Sequence, residues 1–61
     1  MTMKPKDMIK ELENNGFIEI RSNGSHRFFR NPESGKTTTV PYHSRELPKG
    51  LEKAIRKQAG I

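Results

Sequence analysis

The side chains best suited to chemistry in this chain are its two histidines, His26 and His43. His26 follows Gly24-Ser25, and Arg27 and Arg30 lie within four residues of it. An imidazole has a pKa of about 6.5, so it can take or give a proton at neutral pH, and small neighbours at a turn leave it accessible. Cutting RNA without a metal needs a base for the ribose 2′-OH and an acid for the leaving 5′ oxygen. It also needs cations for the charge that builds on phosphorus. Histidine supplies the first two roles and Arg or Lys the third. Read alone, the tripeptide is a weak signal and fits an ordinary hairpin with a surface or cap histidine better.

His43 stands between Pro41-Tyr42 and Ser44-Arg45. Two histidines could divide the base and acid roles if folding brings them together. The alternatives are that it donates a hydrogen bond in the loop before the second helix, or contacts a phosphate. Thr37, Thr38 and Thr39 have no acidic or basic partner nearby and read as β-formers. The acids form no D-x-D or E-x-x-H arrangement, and two histidines without cysteine make no N/S metal site. Neither a metal nor a cofactor is therefore expected.

Charge gives these residues a context. The 61 residues carry 12 Lys and Arg against 7 Asp and Glu, a net of +5. The excess lies in residues 21–61, because the first twenty residues are slightly acidic. A basic excess concentrated in one part of a small domain suits a polyanion, since each neutralised phosphate releases counterions. The bland reading is a solvated basic surface. With 30% hydrophobic residues the chain suffices for one domain over residues 1–61, with a small two-layer core and no large cofactor cavity. No apolar run exceeds two residues, so no membrane span is expected and the default location is the cytoplasm.

The elements that must position the histidines follow from pattern. Pro5 suits a helix first turn, Met8, Ile9 and Leu12 give an apolar stripe, and Asn15-Gly16 stops the helix with Phe17 covering its last turn. Met1 to Lys4 are expected to fray. Phe17–Arg21, His26–Arg30 and Lys36–Val40 read as strands, separated by the turn clusters Asn23-Gly24-Ser25 and Asn31–Gly35. Of Phe28 and Phe29, one should face the helices; the other could stack on a base, though small sheets more often half-cover it with neighbouring side chains. Pro48 opens a second helix with Leu51, Ala54, Ile55 and Ala59 as its core stripe, ended by Gly60. Its polar face carries Lys49, Lys53, Arg56 and Lys57, and Glu52 is placed to neutralise Arg56 in part. The fold class is thus α+β in the order α-β-β-β-α, a three-stranded antiparallel sheet with both helices on one face.

Asn15-Gly16-Phe17, Gly24-Ser25-His26, Thr39-Val40-Pro41-Tyr42-His43 and Ile55-Arg56-Lys57-Gln58-Ala59-Gly60 occur in that order. Together they resemble the HicA family of toxins from HicA–HicB toxin–antitoxin systems, from about Lys4 to Ile61. The resemblance implies a fold related to double-stranded-RNA-binding domains. It also implies an mRNA interferase that cleaves RNA without a metal until a HicB-type antitoxin binds. The family's catalytic histidine is the one in the G-S-H element, so His26 takes that role, with Gly24 and Ser25 as the turn presenting it. Arg27, Arg30, His43, Lys49, Lys53, Arg56 and Lys57 are the expected RNA contacts, and any oligomer would form through the antitoxin complex. Two other readings stand beside this one: a non-catalytic RNA-binding module of the same fold, and an interaction domain whose basic surface meets an acidic protein.

Overall fold

The computed structural model describes residues 3–43 and 45–61. Its elements are α1 (Pro5–Asn14), β1 (Ile18–Asn23), β2 (His26–Arg30), β3 (Thr37–Pro41) and α2 (Lys49–Ala59), the expected α-β-β-β-α order. The strands form one antiparallel meander, β1-β2-β3.

Local chemistry accounts for the element ends. Pro5 opens α1 with its fixed φ, and the Lys4 carbonyl accepts from the N–H groups of Asp7 (3.0 Å) and Met8 (3.2 Å). Gly16, at φ 90°, closes the helix: its N–H donates to Glu13 O (3.1 Å) and that of Phe17 to Leu12 O (3.0 Å). This pair of bonds is the Schellman arrangement, and it folds Phe17 back into the core over the last turn. Gly60, at φ 75°, ends α2 in the same way. In the β2–β3 connection, Asn31 Oδ1 accepts from the N–H groups of Glu33 (2.9 Å) and Ser34 (3.3 Å). Asn31 Nδ2 reaches across to the Asn15 carbonyl at 3.1 Å and ties that turn to the end of α1.

The core is Met8 and Leu12 of α1, Phe17, Phe29 of β2, Val40 of β3, Leu47, and Ile55 and Ala59 of α2. Residues paired across an antiparallel ladder share a face. The pairs Phe29↔Thr38 and Arg27↔Val40 therefore define the inner face, and His26↔Pro41, Phe28↔Thr39 and Arg30↔Thr37 the outer one. Thr38 is buried within the inner face, where its hydroxyl has partners on α2.

The structure corrects three expectations. Met3 does not fray: it bridges to Leu47, whose N–H donates to the Met3 carbonyl at 2.6 Å (Met1 and Thr2 lie outside the described residues). The first strand runs later than expected and is exposed along all six residues, because Phe17 belongs to the helix cap and a bulge at Ile20 breaks the register. Leu51 and Ala54 are exposed and outside the core. A three-stranded sheet is too narrow to cover the whole apolar side of α2, so only Ile55 and Ala59 reach the interior.

Candidate functional site

The site grows from a two-residue hairpin loop. Asn23 pairs with His26, so Gly24 and Ser25 alone make the β1–β2 turn. Gly24 has φ 61° and, among the described residues, no non-glycine residue (Ser25 included) has positive φ, the sign pattern of a type II′ turn. The turn places His26, exposed, as the first residue of β2 on the outer face. On its other side His26 pairs with Pro41, and the Ser25 carbonyl accepts a hydrogen bond from the Tyr42 N–H. That register carries the chain from β3 past the hairpin and brings His43 to the same groove as His26.

Both histidines line one groove of about 640 Å³, where the outer face meets α2. Ser25, His26, Thr39, Pro41 and His43 form one wall, and Pro48, Leu51, Ala54, Ile55 and Gln58 the other. The apolar residues that α2 does not bury in the core are thus the far wall of the groove. His43 does make a hydrogen bond within its loop, but as acceptor and not as donor: Nδ1 accepts from the Arg45 N–H at 3.1 Å. In the neutral ring this puts the proton on Nε2 and makes that nitrogen a donor. A second concavity of about 450 Å³ lies on the other side of His43, lined also by Tyr42, Lys4, Pro5 and Lys6.

The cations divide between faces. Neighbours in a strand point oppositely. Arg27, adjacent to His26 in sequence, accordingly lies on the inner face. There it pairs with Glu19 at 3.1 Å and stacks 4.2 Å above the Tyr42 ring centroid. On the His26 face are Arg30, four residues along β2, and Arg21, opposite Phe28 in β1. The Arg21 guanidinium sits 4.7 Å over the Phe28 ring, so the aromatic on the outer face is already capped by a cation. Sequence reasoning did not single out Arg21, Lys4, Lys6 or Gln58. Arg21 could have been found by pairing strands across the Gly24-Ser25 turn, whereas the others reach the site only through the tertiary fold.

On α2, Lys49, Lys53 and Lys57 are exposed and line neither concavity. Arg56 departs from the expected cationic stripe. Its guanidinium donates to Glu11 (2.7 and 3.0 Å) and, as expected, to Glu52 (2.5 Å). The hydrogen bond from Arg56 holds the Glu11 carboxyl below the usual carboxylate range, against an opposing effect of burial, and the two carboxylates hold Arg56 firmly protonated. Arg56 is a clamp between the helices, and its charge is already met. Among the described residues, no three His, Asp or Glu side chains gather in a way that would hold a metal ion. No helix there is long and apolar enough to cross a membrane.

A search among curated proteins returned no match for the chain. The family model described as the HicA toxin of bacterial toxin–antitoxin systems does match, over residues 5–61. That span takes in the Gly24-Ser25 turn, both histidines and the whole groove, and by it the chain belongs to the HicA toxin family of toxin–antitoxin systems.

Proposed function

We propose that this toxin is a metal-independent endoribonuclease that cleaves mRNA, with His26 as general acid–base, and that it is held inactive by a HicB-type antitoxin. The observation that carries the reading is the placement of an exposed histidine at the rim of a groove that a second histidine also lines. In the proposed reaction His26 removes the ribose 2′ proton, and the 2′ oxygen attacks phosphorus. The P–O5′ bond breaks, the leaving oxygen takes a proton, and the products are a 2′,3′-cyclic phosphate and a 5′-hydroxyl end. The proton for the leaving oxygen comes from protonated His26 or from water. His43 contacts the RNA through its Nε2–H, a donor suited to a phosphate oxygen. Arg21 and Arg30 share the His26 face and suit the flanking phosphates; Lys49, Lys53 and Lys57 suit more distant ones.

Both the groove and the outer face are open surface, so a protein partner can cover them and stop cleavage. The test incubates end-labelled RNA with wild-type protein and with His26→Ala, each with and without EDTA. Wild type should shorten the RNA in both conditions and the variant in neither. Full cleavage by the variant overturns the role of His26, and loss of cleavage in EDTA overturns the metal-free mechanism. RNA that is shifted on a gel by wild type but never shortened identifies a binding module.

A further inference from the structure

Gln58 lines the groove, and its carboxamide is fixed from behind. The buried Thr38 hydroxyl lies 3.0 Å from Gln58 Oε1 and 3.5 Å from the Ile55 carbonyl. It has a single proton to give, and the shorter contact takes it. Oε1 is thereby turned toward Thr38, which leaves the two N–H groups of Nε2 as the donors Gln58 offers to the groove. Around it the far wall is apolar, formed by Leu51, Ala54 and Pro48, and exposed although nothing in the core requires it. A cleft with an apolar wall and a few placed polar groups, here anchored Gln58 facing the histidine wall, is the general form of a small-ligand subsite. Its volume of about 640 Å³ falls within the range of roughly 300–1,000 Å³ that such sites occupy.

We infer that this groove is a nucleobase subsite, which seats the base beside the scissile phosphate and favours a keto base, guanine or uracil, through Gln58. The inference rests on the proposed RNA cleavage at His26 and adds the feature of the substrate that the site reads. His26 and Gln58 face the same cavity, so a nucleotide whose sugar and phosphate lie at His26 has its base within the groove. Apolar side chains there cover the faces of the base, as they do wherever an unstacked base is held. Guanine and uracil present a carbonyl oxygen where adenine and cytosine carry an amino group, so a fixed pair of N–H donors distinguishes the two kinds.

The test maps cleavage positions on one RNA containing every dinucleotide step, for wild type, Gln58→Glu, Gln58→Met, Ala54→Phe and His26→Ala. Wild type should prefer guanine or uracil at one fixed position beside the cut by about tenfold, the scale of one neutral hydrogen bond. Gln58→Glu keeps an oxygen for Thr38 but turns a fixed acceptor toward the base, so the preference should move to adenine and cytosine. Gln58→Met should flatten it. Ala54→Phe fills the groove from an exposed helix position that the fold does not depend on, and should also flatten the preference. Absence of a base preference in wild type, or an unchanged preference in Gln58→Met and Ala54→Phe, overturns the subsite while leaving the role of His26 intact. Cleavage by His26→Ala overturns the catalytic reading separately. If Ala54→Phe keeps the wild-type pattern and loses only inhibition by a protein partner, the groove is the partner's seat and the inference falls.

Discussion

Arg56 grips Glu11 from the opposite helix, its Nε and Nη2 donating to the two carboxylate oxygens at 2.7 and 3.0 Å. The pair joins the first element of the chain to the last, and Glu52 supports it from within α2 at 2.5 Å. Each side chain of the pair is 32% exposed, so water screens part of the attraction. A bidentate ion pair in that setting contributes about 1 kcal/mol. For a domain of this size Glu11→Gln should lower the Tm by about 4–8 °C, measured by circular dichroism, and Arg56→Met should lower it similarly. A Tm unchanged in both variants would show the clamp to be incidental.

The same pair gives stability a pH dependence of known direction. Because Arg56 lowers the Glu11 pKa from its ordinary 4.5, the contribution is fully present above that value. It is lost as the pH falls through the lower folded value. The Tm difference between wild type and Glu11→Gln should hold near neutrality and close as the medium becomes more acidic than pH 4.5. A difference that widens in acid would contradict the assignment.

His26 is exposed and stands at the end of a strand, so its removal costs little packing. His26→Ala should change stability by less than about 0.5 kcal/mol. RNA cleavage should fall by roughly 10²–10⁴, the range for a lost general acid–base. Paired thermal melts and single-turnover cleavage would measure both effects, and a large loss of stability would make the activity loss uninformative.

Gly24 presents His26 through its backbone. A Cβ there would meet nothing within 4 Å, so space is not the constraint. The constraint is φ 61°, which costs an L-residue roughly 1–3 kcal/mol. Gly24→Ala should destabilise the hairpin and weaken cleavage, and amide exchange in β1 and β2 should rise. Full activity with unchanged exchange would show that the turn does not set the position of His26.

Lys49, Lys53 and Lys57 lie apart from the groove, and their expected effect differs in kind. Replacing all three by alanine should weaken RNA binding uniformly across sequences. The log–log salt dependence should flatten by about 0.7 per lost phosphate contact to single-stranded RNA, about two in total. Cleavage positions should not move. A changed pattern of cuts would place these lysines at the site itself.

Local signals made much of this legible from sequence. Pro5, Gly16 and Gly60 mark helix ends, and the turn clusters mark the strands, because caps and turns depend on residues within a few positions of one another. His26 was legible for the same reason, as part of a tight turn. What escaped depends on register and packing. That Arg27 turns away from His26 follows from strand alternation once the pairing is fixed. That His43 lines the same groove as His26 follows from the His26↔Pro41 pairing, fifteen residues apart in the chain. Arg56 reads as a surface cation until Glu11, forty-five residues earlier, is folded against it. Leu51 and Ala54 read as core because helical periodicity identifies an apolar side and not how much of it the sheet can cover.

The groove draws its two walls from opposite ends of the order in which a ribosome makes the chain. Ser25 and His26 are made first, whereas Leu51, Ala54 and Gln58 follow at least twenty-five residues after His26. A growing chain that already contains His26 therefore has no second wall to hold a substrate against it, and none forms until α2 has docked on β3. On the proposed mechanism, His26 meets a message across a two-walled groove only after α2 has been made and has docked.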